Sequence, residues 1–178
     1  MNMIEFKRMN ASDVHRISEI DRSEHVTRGY SVRDGKLLSE EVDWRVPRWF
    51  ETGPEHSVQA LVEFLSPSLR QGATMWGAFD RDRLVGVMVY RRDLAEDMAQ
   101  LVFLHVSNGY RRQGIARRLT AECMRMAKRD GAKRLYVSAT PSESAVAFYQ
   151  SQGFRLIDKP NPELYALEPE DIHMFKQF

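Results

Sequence analysis

The chain has 178 residues, with 26 Lys and Arg against 25 Asp and Glu, a formal net charge of +1, and 43% hydrophobic residues. That length suits one domain spanning 1–178 with a sizeable core, and the balanced charge argues against nucleic acid or an anionic membrane as partner. No signal peptide, lipidation motif or apolar stretch of spanning length is visible, so a cytoplasmic location is expected.

Taken in chain order, Ile4 to Met9 alternates apolar and polar residues as a half-buried strand does. Val14, Ile17 and Ile20 then recur at helical spacing behind Asn10 or Ser12 as cap. Residues 21–73 carry the weakest pattern; helices are expected near Lys36 to Arg45 and Glu55 to Leu65, broken by Pro47, Gly53-Pro54 and Pro67. Thr74 to Phe79 and Leu84 to Tyr90 flank a turn at Asp80 to Arg83 and read as a hairpin, which Leu101 to Val106 extends to three strands. Ile115, Leu119, Cys123 and Ala127 recur every fourth residue, predicting an amphipathic helix over 114–130 that stops at Asp130-Gly131. Cys123, the one cysteine, lies on its apolar stripe and reads as a packed thiol. A strand at Arg134 to Thr140, a helix capped by Ser142 and stopped at Gly153, and strands at Phe154 to Ile157 and Ile172 to Phe178 around a Pro-containing loop complete the chain.

The stretch Val106 to Ala116 sets a donor-rich turn between a strand and a helix. The first turn of that helix has amides without intrahelical partners at the positive end of the dipole, which suits a phosphate or pyrophosphate. A nucleoside-triphosphate loop is excluded because Ile115 and Ala116 stand where Lys and Ser or Thr are required. A dinucleotide fingerprint is excluded because the turn lacks the glycine triplet.

The run Arg111-Arg-Gln-Gly-Ile-Ala116 resembles the acyl-CoA pyrophosphate signature of the GCN5-related N-acetyltransferase superfamily, Q/R-x-x-G-x-G/A. Ser142 to Phe154, with Ala145, Tyr149 and the terminal Gly153-Phe154, resembles the family's second cofactor motif, although Ser142 replaces the usual Asn. The resemblance covers residues 74–178 and leaves 1–73 as a variable acceptor-side region. It implies an α/β (α+β sandwich) fold: a mixed, mostly antiparallel sheet with helices on both faces and splayed strands that admit acetyl-CoA.

On that resemblance the cofactor is held by backbone at Leu104, His105 and Val106 and by Arg111, Arg112, Gln113, Gly114, Ile115, Ala116 and Arg117, with Ser142 and Tyr149 beside it. Tyr149 is the expected general acid, since a phenol keeps its proton at neutral pH and can give it to a leaving thiolate. Where many members carry a basic Glu, this chain has Gln100, so the base falls to His105, to His25, Glu24 or Glu41, or to a water relay. Glu24, His25 and Trp44 are the candidate acceptor-binding residues, with Trp49, Phe50 and Trp76 as further pocket aromatics or core, and the Pro160 to Glu170 loop as the alternative wall. The implied activity is acetyl transfer to a primary amine, on a small molecule or a peptide, by a monomer or homodimer that uses no metal. A catalytically silent acyl-CoA sensor is the rival, and a protein N-terminus or lysine the rival acceptor.

Overall fold

The structure, a computed structural model, describes residues 3–178. In chain order its strands are β1 (Glu5–Met9), β2 (Glu24–Arg33), β3 (Lys36–Val46), β4 (Thr74–Asp80), β5 (Arg83–Ala95), β6 (Met98–Val106), β7 (Arg134–Ala139), β8 (Arg155–Leu156) and β9 (Ile172–Gln177). The helices are α1 (Val58–Arg70), α2 (Ile115–Arg129), α3 (Glu143–Ser151) and α4 (Pro162–Leu167), with 3-10 segments at Ala11–Glu19 and Asn108–Tyr110.

Seven strands form one sheet in the order β1-β4-β5-β6-β7-β9-β8, antiparallel except where β6 meets β7. Strand alternation gives the sheet two apolar faces. On one, Ala78, Leu101, Leu135, Val137 and Ala139 are buried under Leu119, Cys123 and Ala127 of α2 and Val146 and Tyr149 of α3. On the other, Met75, Phe79, Leu84, Val87 and Val89 meet Val14 and Ile17 of the first 3-10 segment and Leu65 and Leu69 of α1. Burying both faces this way is what makes the sheet stable between two helical layers, and it is the mixed α/β architecture that the sequence resemblance implies.

Four sequence expectations are corrected. The helix expected at Lys36 to Arg45 is β3, which pairs with β2 as a separate two-stranded sheet. The Asp34-Gly35 turn, with φ of 50° and 71°, closes the two-residue hairpin loop such strands favour, and Val42, Trp44 and Val46 keep a period of two. The helix expected at Glu55 to Leu65 begins later, where the Ser57 hydroxyl accepts the Ala60 amide at 3.0 Å, and runs through Pro67 to Arg70. The loop around Pro160 to Glu170 contains α4, capped by Asn161 and opened by Pro162, while the strand expected at Phe154 to Ile157 shrinks to Arg155–Leu156.

Candidate active site

Strands β6 and β7 are paired only at Met98–Arg134, Ala99–Leu135 and Gln100–Tyr136. Beyond Gln100 they part, although β6 stays paired with β5 to Val106 and β7 stays paired with β9 to Ala139. The cause is local. Opposite Val89 and Tyr90, Val102 is an extra residue in β6, and such a bulge bends the strand that carries it. It also resets the faces: Leu101, Leu104 and Val106 pack toward α2 and α3, while Val102 and Phe103 pack on the other side. The β7-facing backbone of Leu101 to Val106 therefore has no strand partner among the described residues and lines a cleft.

The turn after β6 faces this opening. Among the described residues, the amides of Arg112 to Arg117 have no acceptor within the chain. Gly114 has φ of 81°, and a Cβ built there meets nothing within 4 Å, so the backbone is bare on its outer side. Arg112 also has positive φ, 61°. The exposed side chains of Arg112 and Arg117 make no ion pair among the described residues, whereas Gln113 reaches back to the Gly109 carbonyl at 3.4 Å. Ile115 is buried and Ala116 half-buried beneath the turn, so their contribution toward a ligand is backbone only. Arg111 differs. Its guanidinium donates to the carbonyls of Val106 (3.2 Å) and Arg22 (3.1 Å), with Glu24 at 3.9 Å, and its amide to Asn108. Both of its donor groups are engaged inside the protein, which makes it a brace rather than a free phosphate ligand.

Hairpin β2–β3 crosses the mouth of the cleft. At the β6 side the Ser107 hydroxyl accepts the Asp21 amide at 2.9 Å and the Asn108 amide donates to the Asp21 carbonyl at 2.8 Å. At the β7 side the Tyr30 amide donates to the Pro141 carbonyl at 2.9 Å, Gly29 bridges to Ser142, and Arg28 lies 3.8 Å from Glu143. Trp44 lays its indole over Gly29, where an added Cβ would fall 2.6 Å from the ring. His25 points to the exposed side of the hairpin and pairs with Asp43 at 2.6 Å. Glu24, His25 and Trp44 thus share the hairpin without forming one cluster.

Ser142 is buried and caps α3, its hydroxyl 3.4 Å from the Ala145 amide. Tyr149, two turns on, is 6% exposed, with its ring at an edge to Phe148 and Phe154. Its hydroxyl has no hydrogen-bond partner among the described residues, yet it is not among the sealed polar atoms, so the exposed remainder of the side chain includes the oxygen. Burial, with Cys123 and then Asp171 adding, holds its proton more tightly than that of a free phenol.

On the opposite sheet face His105 sits between Trp49 and Phe103, at ring separations of 5.1 and 4.6 Å. Part of its edge is accessible, but the surrounding protein, together with Arg111 and Arg22, lowers its pKa to about 4. The imidazole is neutral at pH 7 and a weak base, poorly matched to removing a proton from an ammonium. Gln100 is buried on the last rung before the cleft. Phe50 is exposed on the surface and Trp76 packs on the core.

The sequence reading missed a network on this same face. His173 Nε2–H donates to the Glu168 carbonyl at 3.0 Å, its Nδ1 accepts the Tyr136 hydroxyl at 2.7 Å, and the Tyr136 oxygen accepts the Asn161 amide at 3.0 Å, partners that assign the tautomer. Asp171 donates its amide to the same Glu168 carbonyl at 3.2 Å. Burial and the Asp171 charge raise Glu168 to about 7, opposed by a Ser138 hydrogen bond, and burial raises Asp171 to about 6. The only trace of this in the sequence is the acidic run Glu168-Pro-Glu-Asp171 next to His173.

Residues 49–165 match the family model described as Acetyltransferase (GNAT) domain, and the chain belongs to that family. N-acetyltransferase 8 of Homo sapiens is 33% identical over 90 residues, 48% of this chain and 40% of that protein, so the match spans less than half of that relative. N-alpha-acetyltransferase 50 of Danio rerio is 27% identical over 119 residues, 65% of this chain and 71% of that protein. Among solved structures, nourseothricin acetyltransferase superposes with a TM-score of 0.72 at 18% identity, covering 98% of each chain. The PaiA N-acetyltransferase of Thermoplasma acidophilum, solved with coenzyme A, superposes with a TM-score of 0.64 at 16% identity over 99% of each. At such identities the likeness is one of fold.

Proposed function

We propose that this chain transfers the acetyl group of acetyl-CoA to a primary amine, with a small-molecule amine favoured as acceptor. The observation that carries the reading is the parting of β6 from β7 at Val102 beside a row of six partnerless amides at Arg112 to Arg117. A pyrophosphate over those amides and the bare Gly114 backbone leaves the pantetheine arm to run into the cleft, where the free edge of Leu101 to Val106 donates to it. Acetyl-CoA supplies the thioester. Preorganised backbone amides near Leu104 to Val106 stabilise the charge that develops on the carbonyl oxygen, and Tyr149, whose proton is held at neutral pH, donates to the departing sulfur. Arg112 and Arg117 add long-range attraction for the phosphates, and Ser142 shapes the turn through its cap.

The small-molecule preference rests on the full-length likeness to nourseothricin acetyltransferase, while the shorter match to an N-alpha-acetyltransferase supports a peptide N-terminus as the second acceptor class. No described helix is long and apolar enough to cross a membrane, and our reading places the enzyme in the cytoplasm as a monomer or homodimer. A silent acyl-CoA sensor is the other reading, favoured by Gln100 in place of a carboxylate. Thiol release from acetyl-CoA across a panel of small amines and short peptides, with the acetylated product identified by mass, separates them. An enzyme releases thiol only with an accepted amine; a sensor binds acetyl-CoA and releases none.

A further inference from the structure

Two carboxylates stand at the end of the cleft that no assigned step uses. Leu135, Val137 and Ala139 of β7 face α2 and α3, so Tyr136 and Ser138 face the other way, onto the side that also carries Phe103 and His105 of β6. Ser138 lies past the last β6–β7 rung, its hydroxyl is 3.4 Å from His173 Nδ1, and it favours the ionised form of the nearby Glu168 carboxylate. Asp171 precedes the first residue of β9, whose Ile172 is paired with Ala139. Both carboxylates are mostly enclosed yet keep some accessible surface.

Asp171 and Ser138 act on the Glu168 carboxylate and His173 donates to the Glu168 carbonyl; one contact further out, Tyr136 from β7 and Tyr165 from α4, whose ring is 5.7 Å from that of His173, surround the imidazole. None of these is a cation at neutral pH: His173 is held below its ordinary value by burial, with both ring nitrogens engaged. Paired carboxylates that leave water are stabilised by a cation among them, and within the described residues neither side chain has one. An independent observation points into the same space. Tyr149 is 6% exposed, its hydroxyl has no hydrogen-bond partner among the described residues, and the Asp171 charge acts on it.

We propose that Glu168 and Asp171 form the subsite for the acceptor's ammonium group, Asp171 holding it beside the cleft and Glu168 removing its proton before attack. The proposal rests on the acetyltransferase reading. The ammonium gives one proton to the Glu168 carboxylate, and the neutral nitrogen then forms the C–N bond as the C–S bond breaks. Tyr149 protonates the leaving sulfur, and the second nitrogen proton, lost as the adduct collapses, restores the phenol. Glu168 releases its proton to solvent, so one ammonium and one thioester give one amide, one thiol and one proton. Tyr165 and Leu167 of α4, exposed on the helix that leads into Glu168, suit the carbon skeleton of the acceptor.

The test uses the full chain with acetyl-CoA and three probes, spermidine, lysinamide and an alanyl peptide, following thiol release from pH 5.5 to 9. In the parent, kcat/KM for the accepted amine is expected to rise through the neutral range and level off. Glu168→Gln is expected to abolish that rise and lower the plateau by about 10²-fold, the scale of a lost general base, with acetyl-CoA affinity kept; Glu168→Asp recovers part of the rate. Asp171→Asn is expected to raise the amine KM and move the rise to lower pH, because one neighbouring negative charge is gone. If the parent is active and Glu168→Gln keeps its rate and pH profile, the subsite is wrong while the acetyltransferase reading stands. A parent that binds acetyl-CoA but acetylates none of the probes overturns both.

Discussion

The Tyr30 amide reaches the Pro141 carbonyl at 2.9 Å, fastening hairpin β2–β3 to the β7 side of a cleft whose β6 side it already grips through Asp21 and Ser107. The hairpin is therefore a strap over the opening. Its shape depends on Trp44 lying flat on Gly29. Gly29→Val places a Cβ 2.6 Å from that ring and must displace it. The expected result is a rise of about tenfold in the amine KM, a loss of ~1.4 kcal/mol, with acetyl-CoA affinity nearly unchanged. Steady-state kinetics with each substrate varied separately checks this.

Gly114→Val is expected to weaken acetyl-CoA binding by tenfold or more, about 1.4 kcal/mol or more. Its Cβ meets no protein atom, so the branched side chain stands where the ligand approaches, and the cost to folding is confined to holding φ of 81°, about 1–2 kcal/mol. Calorimetric titration with acetyl-CoA, run beside a thermal melt, separates the two effects.

Tyr149→Phe is expected to lower kcat by about 10²-fold without loss of stability, because the hydroxyl it removes bonds nothing among the described residues. Tyr136→Phe is the contrast. It strands the Asn161 amide, leaves His173 Nδ1 only the Ser138 hydroxyl at 3.4 Å, and is expected to destabilise by about 1–3 kcal/mol. Denaturant melts of the two variants and turnover of the first provide the check.

His105 gives the folded chain an acid sensitivity with a definite sign. Its pKa falls from 6.5 to about 4 on folding, so between those values the unfolded chain binds more protons and stability rises with pH. The contribution is complete above about 6.5 and is lost as pH falls toward 4. Glu168 and Asp171, raised to about 7 and about 6, act oppositely over their own windows. His105→Phe should therefore flatten the loss of melting temperature between pH 6.5 and 4, leaving a profile in which stability falls as pH rises through the carboxylate range.

The parts legible in the sequence were those whose signal is local. The period-four stripe of Ile115 to Ala127, the glycine stops at Gly131 and Gly153 and the Ser142 cap are each contained within one element, and each element formed as expected. Strand β3 reads as a helix in the sequence because Glu40-Glu41 interrupts its alternation and resembles a helix surface, although Asp34-Gly35 is a hairpin turn signal. The bulge at Val102 carries no composition mark, being a matter of register against β5. The Glu168 network joins β7, α4 and β9, so it exists only once three segments are packed.

The most direct measurement of the central claim is amide hydrogen exchange with and without acetyl-CoA. The account expects slowed exchange at Arg112 to Arg117, where donors lack acceptors, and along Leu101 to Val106, where β6 has left β7. Acetyl-CoA binding that leaves both stretches exchanging as in the free protein would contradict it.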